Sequence, residues 1–96
     1  MKVIWLKRAR KDLNDAINWL NRHNPTAAKK AARLINLQVN QLNVYPQLGR
    51  VGDIDGTREL VIQQTRYIAA YQIDAQTDQI KILALMHESM QWPEEF

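Results

Sequence analysis

The chain has no cysteine at all, and only two of its 96 residues are histidines. Without cysteine it forms neither a disulfide nor a thiolate metal site, and His23 and His87 fall short of the ligand set of a structural zinc ion. No apolar run approaches the roughly 20 residues that span a membrane, and the apolar start is too short for a signal peptide. We therefore expect a cytoplasmic protein that binds no metal or other cofactor.

The composition, with 46% hydrophobic and 24% charged residues, is that of a folded soluble domain. A chain of this length holds one core, so residues 1–96 predict a single domain. Charge is spread unevenly: residues 1–50 hold ten basic and two acidic side chains, whereas residues 51–96 hold three basic and eight acidic ones. The basic part could attract nucleic acid or an acidic protein, although a solvated helical surface shows the same pattern.

The first half of the chain predicts a short strand followed by two helices. Val3 to Leu6 is a brief apolar run of β-branched and aromatic residues, typical of a strand. Apolar residues then recur at helical spacing from Arg8 to Arg22, and again from Pro25 until Tyr45-Pro46 ends the pattern. The two apolar stripes are Ala9, Leu13, Ala16, Ile17 and Leu20, and Ala28, Ala31, Ala32, Ile35, Val39 and Leu42. Because the join is short, the helices should be antiparallel neighbours.

The second half predicts a loop and three strands. Pro46 to Gly56 contains all three glycines of the chain and is typical of a loop. Strands are predicted at Glu59 to Gln63, Tyr67 to Ile73 and Ile80 to Met86, with a turn at Asp74 to Gln79 that makes the last two a hairpin. The order implies an α+β fold: an N-terminal strand, an antiparallel two-helix hairpin on one face of the sheet, and a three-stranded antiparallel meander.

The residues that could carry chemistry are few. No Gly-rich phosphate loop, nucleophile elbow or HExxH motif is present. A metal-free ribonuclease needs an acid–base pair and a cation that stabilises the charged phosphorane, which makes His87, Arg66 and Tyr67 the candidate catalytic residues. His87 ends the last predicted strand in one alternation with Lys81, Leu83 and Leu85. A lone histidine at a strand end is more often a hydrogen-bonded structural residue.

Two further apolar residues are candidates for contact with a partner. Trp92, followed by Pro93, stands on a short terminal segment, where a tryptophan either caps the core or anchors a partner. Leu37 points away from the stripe of the second helix and could touch a partner.

Six motifs follow one another along nearly the whole chain. They are Ala-x-x-Asp-Leu (9–13), Asn-Pro-x-Ala-Ala (24–28), Leu-x-x-x-Pro-x-x-Gly-Arg (42–50), Gly-x-Arg-Glu-Leu (56–60), Arg-Tyr-Ile with a further Tyr (66–71), and Ile-Leu-x-Leu-x-His-x-x-x-x-Trp-Pro (82–93). This succession resembles the ParE-type toxins of the ParE/RelE superfamily. The resemblance implies a toxin of a type II toxin–antitoxin system, with a helical hairpin packed on an antiparallel sheet and held silent by a partner.

The two branches of that superfamily differ in their targets. The RelE branch cleaves messenger RNA on the ribosome with basic residues of the central strands, whereas the ParE branch poisons DNA gyrase. Aligning Tyr67 and Tyr71 with the RelE pattern shows which residues occupy the basic positions. They are Glu59, Val61 and Ile68, with Glu88 and Met90 after the last strand. The resemblance therefore favours a gyrase inhibitor over an enzyme. The alternatives are a ribosome-dependent endoribonuclease and an inactive binding protein of the same fold.

The resemblance also implies the partners. We expect a hetero-oligomeric complex with a cognate antitoxin, whose disordered acidic segment folds on the toxin. Operator DNA would be contacted only through the antitoxin, and no membrane would be involved. The antitoxin-binding candidates are Arg10, Leu13, Leu37 and Arg58. The target-binding candidates are Trp92, His87 and Met90, the last at a position where many ParE-like tails carry arginine.

Overall fold

Residues 1–90, 93 and 96, which the computed structural model describes, form two helices on one face of a five-stranded mixed sheet. The elements are β1 (Lys2–Trp5), α1 (Lys7–His23), α2 (Pro25–Asn40), β2 (Arg50–Val51), β3 (Arg58–Val61), β4 (Tyr67–Asp74) and β5 (Gln79–His87). In the sheet the strand order is β1-β5-β4-β3-β2, with β1 parallel to β5 and the other neighbours antiparallel. The α+β class is confirmed.

Three details differ from the sequence prediction. The predicted loop contains the short strand β2, so the meander has four strands rather than three. The sheet is mixed, because β1 lies parallel to β5 at one edge. The second helix leaves the α conformation at Asn40 and continues as a 3₁₀ turn over Gln41–Asn43, because Tyr45 precedes Pro46 and the tighter turn ends the helix.

The predicted helical stripes are the ones that meet the sheet. Asn24 caps α2, since its Oδ1 accepts a hydrogen bond from the backbone N–H of Ala27 at 3.2 Å, and Pro25 occupies the first turn. The main core is formed by Ala9, Ile35, Val39, Leu42, Leu60, Ile62, Ala69, Tyr71, Ile80, Ile82 and Leu85. Full burial of each large apolar side chain contributes about 1.5–3 kcal/mol. The core thus joins α1, α2 and the three central strands.

A β-bulge in β5 changes which residues face the helices. Ala70 pairs with Ala84, but Tyr71 pairs with Ile82, so Leu83 is the extra residue. After the bulge Leu85 enters the main core together with Ile82, whereas Lys81 belongs to the opposite face. The predicted alternation that linked His87 to Lys81 is therefore wrong, although His87 does stay in step with Leu85.

The edge of β5 beyond β1 is covered by α1. β1 pairs with β5 only as far as Trp5 and Ile82, after which the chain turns into the helix. There the backbone N–H of Leu85 donates to Oδ2 of Asp12 at 3.0 Å. A side chain of α1 thus replaces the missing strand as hydrogen-bond partner, which aligns the helix with the end of β5.

The segment before β3 is pinned to the sheet by buried polar groups. The hydroxyl of Tyr71 accepts from the backbone N–H of Gly49 at 2.9 Å and donates to the carbonyl of Pro46 at 2.7 Å. A Cβ at position 49 would lie 2.7 Å from Cε1 of Tyr71 and 2.8 Å from the carbonyl oxygen of Glu59, so only glycine allows this approach.

Candidate functional site

A groove of about 580 Å³ opens between the helical hairpin and the adjoining ends of β4 and β5. The residues that define it here are Trp19, Lys30, Leu34, Arg66, Tyr67, His87 and Met90, and we call it the aromatic groove. A second depression of about 520 Å³ shares Trp19, Tyr67, His87 and Met90 with this groove. The structure therefore brings all three catalytic candidates together, with two of the three target-binding candidates.

Tyr67 and His87 meet because β4 and β5 pair in register at their ends. They are directly opposite each other, and their rings touch edge to face with centroids 5.4 Å apart. Burial raises the pKa of Tyr67, which keeps the phenol protonated at neutral pH. Tyr67 can donate a hydrogen bond but does not act as a base.

The backbone after β5 restricts the imidazole of His87. Nδ1 accepts a hydrogen bond from the backbone N–H of Ser89 at 3.2 Å, and the Ser89 hydroxyl lies 2.7 Å from the same atom. With the backbone bond formed, Nδ1 carries no proton, so we assign the proton of the neutral ring to Nε2. His87 is thus tied to the start of the C-terminal segment, as a structural histidine would be.

Arg66 is engaged by an acidic neighbour. Its Nη1 lies 3.3 Å from Oε1 of Glu88, and its carbonyl accepts the backbone N–H of Glu88 at 2.7 Å. Both side chains are largely exposed, so the pair contributes little stability, but it lowers the positive charge that a ribonuclease would direct at a phosphorane. Apart from Arg66, Lys30 is the one lysine or arginine among the described residues that line the groove.

No basic side chain stands at Glu59, Val61 or Ile68, the positions that the resemblance aligns with the basic catalytic residues of the RelE branch. Glu59 is buried, and its Oε1 accepts from Nε and Nη2 of Arg50 at 3.0 and 2.9 Å. Its other oxygen accepts the backbone N–H of Asp53 at 3.3 Å. Ile68 is buried and Val61 is partly exposed. Glu59 therefore fastens the segment around β2 instead of lining an active site.

Trp19 is the groove residue that the sequence prediction missed. It lies on α1 off the apolar stripe, is 52% exposed, and stacks on His23 with ring centroids 4.2 Å apart. An exposed tryptophan beside a groove is the kind of side chain that anchors partners. The available signal was a large aromatic at a helix position outside the stripe.

The antitoxin-binding candidates lie on three different elements. Leu37 is exposed on α2, whereas Leu13 is half-buried and packs against the main core. Arg10 donates to the carbonyl of Trp5 at 3.4 Å, and Arg58 donates to the carbonyl of Gly49 at 2.8 Å. Trp92, the third target-binding candidate, lies outside the described residues.

The described residues show neither a metal-binding cluster nor a membrane-spanning helix. In the ranges 1–90, 93 and 96, no cluster of three or more histidine, aspartate or glutamate side chains is arranged to hold a metal ion. Nor does any helix in this part of the chain have the length and apolar character needed to cross a membrane.

Solved structures share this arrangement of helices and strands. The chromosomal ParDE toxin–antitoxin system from P. aeruginosa contains a chain that is similar with a TM-score of 0.80 and 24% identity, covering 91% of this chain and 95% of that one. The RelBE2 toxin–antitoxin complex from Mycobacterium tuberculosis gives a TM-score of 0.60 and 21% identity, covering 90% and 95%. At these identities the likeness establishes the fold, which is that of the ParE/RelE-like proteins.

The sequence comparisons are more specific. The family model of the ParE toxin of the type II toxin–antitoxin system parDE matches residues 3–92. Y4kP of Sinorhizobium fredii (strain NBRC 101917 / NGR234), whose name describes a candidate toxin, is 34% identical over 93 residues, which are 97% of this chain and 94% of that protein. The chain belongs to the ParE toxin family of type II toxin–antitoxin systems.

Proposed function

We propose that this toxin inhibits DNA gyrase and that a cognate antitoxin neutralises it. Family membership supports a toxin, and the choice of target rests on one observation: Glu59 occupies a position where the RelE branch would carry a basic residue, and it is buried and bound to Arg50. A ribonuclease cannot use a carboxylate to stabilise the negative phosphorane. Binding to the target protein, rather than chemistry on RNA, is the action that these residues favour.

The aromatic groove is the surface that we assign to the target. It combines the exposed side chains of Trp19 and Met90 with His87 and Tyr67. Tryptophan and tyrosine are among the residues that most often dominate the binding energy of protein interfaces, and methionine is enriched in them. Truncation of Trp19 should therefore weaken the action on gyrase more than truncation of an exposed aromatic elsewhere.

The antitoxin is assigned to another part of the surface. Leu37 on α2, Arg10 and Leu13 on α1, and Arg58 on β3 are the proposed contacts. The structural relatives are described as toxin–antitoxin pairs, which supports a partner of this kind. An amphipathic helix along the hairpin and a strand added to a sheet edge would give such a partner apolar burial and main-chain hydrogen bonds.

The test measures supercoiling and transcript cleavage side by side. The purified chain is added to DNA gyrase with relaxed plasmid, and to ribosomes translating a defined messenger RNA. We expect loss of supercoiling or trapped cleaved DNA, and intact messenger. Trp19→Ala should reduce inhibition about tenfold or more, which corresponds to an interface anchor of at least about 1.4 kcal/mol, while Tyr45→Ala should leave it unchanged.

The other outcomes decide between the alternatives. Codon-specific cleavage with unchanged supercoiling would place the chain in the ribonuclease branch. Arg66, Tyr67 and His87, which meet in the aromatic groove, would then be the candidate catalytic residues. Absence of both activities, with antitoxin binding retained, would identify an inactive binding protein of the same fold.

A further inference from the structure

The basic residues of the helical hairpin fall into two groups. Near the start of α1 lie Lys7, Arg8, Arg10 and Lys11, of which Arg8 and Lys11 are each paired with an aspartate one turn further on, at 3.8 and 2.7 Å. The second group lies around the join between the helices, and we call it the basic end of the hairpin. It consists of Arg22, Lys29, Lys30 and Arg33, all exposed. None of these four forms an ion pair with a residue that the structure describes.

The sequence of α2 leaves this charge without compensation. The helix contains three basic residues and no aspartate or glutamate over Pro25–Asn40. Lys29 and Arg33 are separated by about 6 Å along the helix axis, on the side that also exposes Thr26 and Asn36. Elsewhere the acidic side chains Asp12, Asp15, Glu59, Asp74 and Glu88 are each paired with a basic group. The four basic residues near the start of α1 share that helix with Asp12 and Asp15, a net charge of +2, whereas the basic end carries +4, so it has the larger excess of positive charge of the two groups.

The composition of the surface indicates which polyanion it suits. Single-stranded nucleic acid is held by aromatic stacking; Lys30 borders the aromatic groove, but the side of α2 that carries Lys29 and Arg33 has no aromatic residue of its own. A protein interface needs apolar or aromatic anchors, and within α2, which is described throughout, Leu37 in the second half is the one large exposed apolar side chain. Phosphates of a duplex require only cationic and hydrogen-bonding groups along a surface, which Lys29, Arg33 and Asn36 provide.

We propose that the basic end of the hairpin binds the phosphate backbone of double-stranded DNA directly and without base specificity. This contact would add to any operator contact made through the antitoxin. It is independent of the gyrase assignment, because duplex binding by the isolated chain and inhibition of supercoiling are separate measurements. At low ionic strength, Lys and Arg contacts to phosphate release condensed counterions, so affinity should fall steeply with added salt.

The test is fluorescence anisotropy of a labelled 20-base-pair duplex with the full chain, over a series of salt concentrations. The double variant Lys29→Gln/Arg33→Gln should raise Kd about tenfold or more and lower the slope of log K against log salt by about 2. The control, Lys2→Gln/Lys11→Gln, removes the same charge from exposed residues outside the basic end, and it should change Kd less than about twofold. Thermal unfolding confirms that both variants are folded.

Three results would overturn the proposal. Equal weakening by the two double variants would show general attraction of a basic protein, with no localised surface. Equal or tighter binding of the single strand would mean that the ligand is not a duplex backbone. Equal competition by poly-glutamate at matched charge would indicate an acidic protein as the partner.

Discussion

At the scale of single residues, Tyr71 connects the core to the segment that precedes β3. Its ring is fully buried, and its hydroxyl joins Gly49 and Pro46 as acceptor and donor. Burial raises the pKa of Tyr71, against the opposing effect of the Gly49 hydrogen bond, so the neutral phenol is the state that makes both contacts. If the Tyr71 hydroxyl is removed, no side chain of Gly49 or Pro46 can take over these two hydrogen bonds.

We expect Tyr71→Phe to destabilise the protein by about 1–3 kcal/mol, because it leaves a buried N–H and a carbonyl without their partner. The measurement is the midpoint of urea unfolding, with the m-value checked for constancy. Tyr45→Phe is the matched control, since Tyr45 is 63% exposed, and its change should stay within about 0.5 kcal/mol. Similar midpoints for the two variants would show that the Tyr71 hydroxyl does not stabilise the fold.

At the scale of elements, the position of α1 depends on one carboxylate. Asp12 and Asp15 lie on the same helix, and each forms an ion pair with a basic residue one turn earlier. Only Asp12 also accepts a backbone hydrogen bond from β5, at Leu85. Asp12 therefore joins α1 to the sheet, whereas Asp15, also in an ion pair on α1, does not.

Asp12→Ala should lower stability by about 1–3 kcal/mol, because the N–H of Leu85 would lose its acceptor. Asp15→Ala removes only an exposed ion pair and should cost less than about 0.5 kcal/mol. Hydrogen exchange of the Leu85 amide gives a local readout: we expect faster exchange in Asp12→Ala and no change in Asp15→Ala. An unaltered exchange rate in both would exclude the proposed role of Asp12.

At the scale of the whole molecule, basic charge and exposed apolar surface occur partly on the same elements. The excess of basic residues lies in the first half of the sequence, and exposed apolar side chains occur in that half on α1 and α2 as well as around the segment that contains β2. Among them are Trp19, Leu37, Leu48 and Val51. An acidic antitoxin would be attracted by the basic charge and held by exposed apolar side chains outside the aromatic groove, such as Leu37.

For the antitoxin complex we expect salt to slow association clearly and to change dissociation little. Exposed ion pairs are screened within about 10 Å at 0.1 M salt, whereas buried apolar contacts and main-chain hydrogen bonds are not. Stopped-flow or surface-binding kinetics over a range of ionic strength measure both rates. Steep acceleration of dissociation with salt would show that charge holds the complex and that the apolar contacts are secondary.

Local signals in the sequence determined the helices and most of the meander. The stripes of α1 and α2 have a 3.6-residue period that can be read without knowledge of distant residues, and Asn24-Pro25 marks a helix start by its own chemistry. The register that the turn alone fixes pairs Asp74 with Gln79 and would place Tyr67 opposite Met86, so the pairing of Tyr67 with His87 was not within reach: it depends on the bulge at Leu83. The motif order was sufficient to indicate the toxin family.

The tertiary structure alone decided the rest. β2 spans only Arg50–Val51, and it is a strand because it pairs with Arg58 and Glu59 of β3, which no local propensity encodes. The bulge at Leu83 depends on how β5 fits two neighbours, and the parallel position of β1 depends on the path of the hairpin. Trp19 lines a groove only because α1, α2 and the ends of β4 and β5 meet there. Periodicity can be read within one segment of the sequence, whereas packing depends on residues that are far apart in the chain.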